Sequence, residues 1–157
     1  MKSIISTVLQ MLIISSFLFL LNGCATLDSK SIQNAKNLAS PVFIGEIKVS
    51  SPNSAGGRSI YFTWNNTSNK TIKYLTINYS LYNAVGDRVF CRIGPRGGLR
   101  FTGPVSPGNT KRGRPTSLCY DTPAIRGEVR NIVVIYMDDS RESFNRQQLL
   151  EMGALAQ

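Results

Sequence analysis

From residue 41 onward, hydrophobic and polar positions alternate along most of the chain, and the clearest run is Thr71 to Asn83. Leu75, Ile77, Tyr79 and Leu81 fall on one face, while Tyr74, Thr76, Asn78, Ser80 and Tyr82 fall on the other. Strict period two with β-branched and aromatic residues predicts a half-buried strand. Before it, Val42 to Val49 alternates well enough for a strand, and Ser51 to Gly57 is turn chemistry. Ile60, Phe62 and Trp64 then share one face of a second strand, with Tyr61 and Thr63 opposite and a polar turn from Asn65 to Lys70. After the third run, Ala84 to Asp87 turns the chain and Arg88 to Cys91 continues as a strand. Six glycines and four prolines between Gly94 and Pro115 exclude a long helix there. Short strands are expected at Leu99 to Thr102 and at Ser117 to Tyr120. Glu128 to Asp138 is apolar on both faces, the mark of a central strand, and Asp138-Asp139-Ser140 turns into Arg141 to Phe144.

The period changes at the end of the chain. Asn145 is placed to cap a helix, Gln148 sits at the third helical position, Phe144 can staple onto Leu149, and Gly153 marks a stop. Some seven short strands at turn-punctuated spacing predict an antiparallel sandwich. The fold class expected is therefore all-β, an antiparallel β-sandwich with a short C-terminal helix.

The first 24 residues follow a different logic. Lys2 precedes an apolar stretch from Ile4 to Leu21, which stops at Leu21-Asn22-Gly23-Cys24. A charged start, an apolar middle and small residues before a cut describe a secretory signal, and a transmembrane anchor helix is the alternative that length barely separates from it. The four residues resemble the bacterial lipobox, with Leu three positions before the cysteine and a small residue just before it. That resemblance implies that Cys24 receives a diacylglyceryl group and that the mature chain starts there. Ala25 stands where an Asp would signal retention in an inner membrane, so the resemblance is to the outer-membrane class if the host is Gram-negative. The expected organisation is a lipoprotein signal peptide over residues 1–23, a lipidated N-terminus and tether over 24–40, and a sandwich domain over 41–157. Residues 25 to 40 are small, polar and weakly periodic, and a helix there would be marginal alone.

Composition narrows the chemistry. The chain of 157 residues has no histidine and three cysteines, which excludes a histidine-based triad, a histidine metal site and a zinc finger. With Cys24 acylated, Cys91 and Cys119 remain as an even pair in an oxidising compartment, and a disulfide between them is expected. Two buried free thiols are the alternative. In the chain-entropy model, closing that separation stabilises a fold by roughly 3–4 kcal/mol.

Tyr79-Ser80-Leu81-Tyr82-Asn83, followed by Gly86-Asp87-Arg88-Val89, resembles the F-x-L-Y-D signature of small bacterial immunoglobulin-like domains. Asn66 to Thr71 and Gly103 to Gly108 fit the same layout, and the likeness spans Val42 to Asp138. Tyr79 stands where that family has Phe, and Asn83 where it has Asp. The resemblance implies an immunoglobulin-like sandwich and assigns no catalytic residue. A Cys91–Cys119 bridge would not be the usual immunoglobulin one, because Trp64 precedes both cysteines.

Candidate sites are few. Asp138, Asp139 and Glu142 cluster at a turn, where paired carboxylates can do acid–base work or bind Ca²⁺, although a hairpin turn favours Asp for local hydrogen bonding. Gly94-Pro95-Arg96-Gly97-Gly98 lacks the Lys-Ser or Lys-Thr ending of a phosphate loop and leads into no helix. We expect no enzyme activity, no cofactor and no metal. The most unusual feature is charge. Arg88, Arg92, Arg96, Arg100, Lys111, Arg112 and Arg114 lie in a span, Arg88 to Tyr120, without Asp or Glu. Guanidinium groups stay charged at any relevant pH and offer bidentate hydrogen bonds to oxyanions. The expected function is a membrane-anchored, non-enzymatic binding module for an anionic envelope component, with no nucleic-acid partner in that compartment. The alternatives are a structural or assembly subunit docking onto another envelope protein, and a basic stretch that is only a solvated surface.

Overall fold

The computed structural model describes residues 27–94, 97–113 and 118–156; the expected signal peptide and Cys24 lie outside them. Helix α1 (Ser29–Asn37) is followed by β1 (Val42–Ile44), β2 (Lys48–Val49), β3 (Arg58–Tyr61), β4 (Thr63–Asn66), β5 (Ile72–Tyr82) and β6 (Arg88–Val89). Then come β7 (Gly98–Val105), β8 (Thr110–Arg112), β9 (Leu118–Cys119), β10 (Arg126–Tyr136), β11 (Arg141–Asn145) and the short helix α2 (Arg146–Glu151). Every pairing between these strands is antiparallel. Among the described residues no helix is long and apolar enough to cross a membrane.

The centre is the long pair β5 and β10, which runs from Tyr82 opposite Arg126 to Ile72 opposite Tyr136, with register shifts at Arg130 and at Lys73. Two strands share each outer edge of this pair. β7 and β6 lie end to end along β5, while β11 and β2 lie end to end along β10. Beyond β2 the sheet continues through β3 to β9, and β1, β4 and β8 form a second, smaller sheet. Leu75, Ile77, Tyr79 and Leu81 are buried, as their alternation predicts, and face Val129, Ile132 and Val134 of β10 in the same layer. The core lies between this layer and Val42, Ile44 and Trp64 of the small sheet.

More strands form than the turn spacing predicts, because two of them switch sheets. Phe62 alone separates β3 from β4, and residues 45–47 separate β1 from β2. At this corner the Gly45 N–H donates to the Thr63 carbonyl at 2.8 Å, and the Gly113 N–H donates to that of Phe62 at 2.6 Å. The side chain of Leu27 packs so closely on Gly45 that a Cβ there would meet it at 2.6 Å. Ile60, Phe62 and Trp64 all still point inward, so one apolar face is carried around the bend. Phe62 meets Tyr79 at 5.2 Å between ring centroids, and Phe101 lies against both Phe62 and Trp64.

Two polar stretches are more ordered than their composition suggests. The expected turn at Asn65 begins only after Asn66, whose buried side chain donates to the carbonyls of Lys70 and Val105 and accepts from the Ser68 N–H and hydroxyl. All its hydrogen-bonding capacity is met, which makes the burial of this amide affordable. The expected tether over 24–40 gives way, from Asp28 onward, to a capped helix. Asp28 accepts from the N–H of Ser31 at 2.9 Å, Ala35 is fully buried, and Phe43 of β1 is buried outside the main core cluster. Such a helix is marginal alone and holds here by packing, which a local reading of the sequence does not reveal.

The C-terminal helix forms as predicted. Asn145 and Gln148 make a reciprocal capping box. Gly153, at a φ of 59°, ends the helix in the left-handed region, with Ala154 N–H donating to Leu149 and Gly153 N–H to Leu150.

Tyr79 carries a testable consequence. Its hydroxyl is buried without a hydrogen-bond partner among the described residues, and burial pushes its pKa up to about 12. An unpaired buried hydroxyl costs stability, so Tyr79→Phe should stabilise the domain by about 1 kcal/mol in urea unfolding. A loss of stability would show that the hydroxyl is satisfied in solution.

Candidate anion-binding face

Because Leu75, Ile77, Tyr79 and Leu81 point into the core, Tyr74, Thr76, Asn78, Ser80 and Tyr82 point outward, and residues directly opposite them share that outer face. One transverse row follows from the register alone. Arg88 of β6, Tyr82 of β5, Arg126 of β10, Lys48 of β2 and Tyr61 of β3 are successive cross-strand partners. At the usual strand spacing this row is about 19 Å long. Farther along β5, Arg100 lies opposite Thr76, and Arg141 of β11 lies opposite Ile135. Arg130, extruded by the bulge in β10, has a guanidinium nitrogen 3.8 Å from where a side chain on Gly97 would begin, so it reaches across β5.

Several of these cations rest on aromatic rings. The Arg100 guanidinium carbon lies 3.9 Å from the Tyr74 ring centroid, that of Arg126 lies 4.6 Å from Tyr82, and that of Arg88 lies 4.9 Å from Phe90. Stacking fixes the plane of a guanidinium and leaves its N–H edge free to meet an oxyanion. Between the stacked pairs, Asn78 donates to Asn131 at 2.6 Å, adding amide chemistry to the same face. Among the described strand residues pointing this way, Glu128 is the one carboxylate, and it accepts from Arg126 and lies 3.7 Å from Arg146. The face is therefore basic and aromatic, and its charges are exposed to screening by salt.

The basic span seen in the sequence is only partly gathered here. Arg88 and Arg100 join the face. Arg92 is on the loop after β6, paired with Asp121 at 2.9 Å. Lys111 and Arg112 belong to β8 in the other sheet, opposite Trp64 and Thr63. Arg96 and Arg114 lie outside the described residues. The described members of the span are divided because the strands that carry them enter different sheets. Lys48, Arg126, Arg130 and Arg141, absent from that span, supply the rest. Pairing with outward residues places Lys48, Arg126 and Arg141 on this face, the bulge adds Arg130, and only the register brings them together.

The remaining candidates are engaged locally. Asp138 accepts from Lys70 and from the N–H and hydroxyl of Ser140, and the Lys70 and Ser140 hydrogen bonds hold its carboxyl well below the usual range. Asp139, at a φ of 60°, pairs with Lys73, and Glu142 accepts from the Tyr136 hydroxyl at 2.8 Å. Each carboxylate has its own structural partner, as the turn reading expects. Among the described residues no group of three or more Asp, Glu or Cys side chains could hold a metal ion.

Cys91 and Cys119 form the expected disulfide. It joins the two ends of the large sheet, since Cys91 follows β6 and Cys119 closes β9. An isolated bridge between Ile93 and Tyr120 reinforces the closure. A cleft of about 620 Å³ opens at the sheet corner, with Leu27, Phe43 and Phe62 among its apolar walls and Glu46, Lys48, Tyr61 and Arg112 among its polar ones. Lys48 and Tyr61 thus belong both to this cleft and to the transverse row.

No family model matches the chain, and no curated protein matches it. Among solved structures it is similar to IrmA from Escherichia coli, with 14% sequence identity and a TM-score of 0.42, over 68% of this chain and 86% of that one.

Proposed function

We propose that this protein is a lipid-anchored module of a bacterial envelope that binds an anionic envelope component, without catalysis, through the outer face of its large sheet. The observation that carries this reading is the gathering of Arg88, Arg100, Arg126, Arg130 and Lys48 on one face with Glu128 as its one strand-borne carboxylate. Stacked guanidinium groups suit phosphate or carboxylate oxygens. The Leu21-Asn22-Gly23-Cys24 sequence supports the anchor, and the Cys91–Cys119 disulfide suits an oxidising compartment. Ala25 after the cysteine favours an outer membrane, facing the periplasm, in a Gram-negative host.

The test begins with the mature protein extracted from membranes, whose mass should correspond to a chain starting at Cys24 with acyl groups attached. A mature protein retaining residues 1–23 would end the anchor reading. For the binding face, the Cys24→Ser protein should associate with phosphatidylglycerol-rich vesicles, or with an acidic polysaccharide, and not with phosphatidylcholine alone. The association should fade between about 0.05 and 0.5 M salt, as the screening length shrinks. Equal binding to neutral and anionic surfaces would refute it. The assembly-subunit alternative draws on β8, the exposed end strand in the order β1–β4–β8, which offers an edge for strand addition. That mode predicts capture of a protein partner that survives high salt.

A further inference from the structure

We propose that the corner cleft seats directly against the membrane that holds the anchor, so that Tyr61 and Lys48 meet lipid headgroups. This rests on the lipidation of Cys24 in the reading above and adds the orientation of the domain. The length of chain before the docked region decides it. Leu27 packs on Gly45 inside the cleft wall, Asp28 caps α1, and the helix is fixed against β1 by buried Ala35. Only two residues, Ala25 and Thr26, separate Cys24 from Leu27, so the three Cα–Cα steps reach at most about 11 Å even when fully extended. The acylated cysteine is therefore confined to the mouth of the cleft, and the domain cannot swing away on a long tether.

The surface there suits an interface. Tyr61 is 39% exposed, an aromatic ring with a polar tip, of the kind that sits at headgroup level. Lys48 and Arg112 line the same cleft and can meet lipid phosphates, while Leu27 and Phe43 supply apolar wall. Of the two carboxylates in the lining, Asp28 is engaged in capping the N–H of Ser31, and Glu46 is exposed at the rim. The transverse row of the outer face then starts at the lipid surface with Tyr61 and Lys48.

The experiment uses the acylated protein in vesicles of phosphatidylethanolamine and phosphatidylglycerol that carry a quencher on the lipid. An environment-sensitive fluorophore is placed at Tyr61→Cys or, in a second variant, at Met137→Cys, just past the far end of β10. Arg126, in the same row as Tyr61, and Tyr136, next to Met137, are ten residues apart along β10, about 34 Å. The Tyr61 label should lose most of its fluorescence, and the Met137 label should keep its own. Lys48→Cys, labelled the same way, repeats the test should the Tyr61 variant fold poorly. Equal quenching at both ends, or an unquenched Tyr61 and Lys48 label on a chain whose acyl mass is confirmed, overturns the orientation alone. A chain without acyl mass overturns both the orientation and the anchor.

Discussion

Replacing Cys91 and Cys119 together by alanine is expected to lower the unfolding free energy by about 3–4 kcal/mol, a large share of what a domain of this size has. The bridge spans 28 residues in sequence, so its loss frees a long loop in the unfolded chain. It also releases a closure in the folded one. Among the described residues, β6 is two residues long and pairs with Leu81 and Tyr82 of β5, and β9 is two residues long and pairs with β3. Without the disulfide these two edges are joined by the Ile93–Tyr120 bridge and by Arg92 with Asp121, and an exposed ion pair of that kind adds less than about 1 kcal/mol. Urea unfolding of the double variant measures the loss. Hydrogen exchange should show faster opening of Val89, Cys91Ala and Tyr120 amides, with β5 and β10 still protected up to the new global limit. A drop of under about 1 kcal/mol would mean that the unfolded chain keeps these segments close without the bond.

The pieces of this fold that were legible in the sequence are those whose environment repeats along the chain. β5 and β10 were readable because two buried faces, one alternating and one continuous, leave period-two and unbroken apolar signatures. The last helix was readable because its cap chemistry is local: Asn145, Gln148 and Gly153 need only one another. The disulfide followed from counting. What stayed hidden depends on partners far away in sequence. Nothing near Phe62 announces that a strand will pass from one sheet to another, because Ile60, Phe62 and Trp64 keep their alternation through the corner. Asn66 reads as turn chemistry, and its burial makes sense only once the Val105 carbonyl is beside it. α1 lacks strong periodicity and is held by packing on β1.

The same distinction governs charge. Arg88, Arg92 and Arg100 look equivalent in a run of basic residues, yet a strand sends a side chain to one face or the other by parity, and only its neighbour decides which sheet that face belongs to. Lys48, Arg126 and Arg88 are scattered through the chain and become adjacent through three pairings.

That difference allows a test in which net charge is held constant. Arg88→Glu with Arg100→Glu, and Arg92→Glu with Lys111→Glu, each change the formal charge by the same amount within the same basic span. The first pair lies on the outer face of the large sheet, on β6 and β7; the second lies on a loop and in the small sheet. If the face is the binding surface, the first variant should lose at least about thirtyfold in affinity for phosphatidylglycerol-rich vesicles, since each basic residue near an anionic surface contributes about 1 kcal/mol and reversal adds repulsion. The second should stay within about threefold of the parent, because its two charges lie away from the bound surface and are screened. Arg88 and Arg100 are exposed, and their ring contacts are worth about 0.5–1 kcal/mol each at such sites, so circular dichroism and the unfolding midpoint should change little. Equal losses in the two variants would mean that the domain responds to net charge alone and that the stacked arginines form no site. No loss in either would leave the outer face a solvated surface, and the exposed edge of β8 would become the surface to examine for a protein partner.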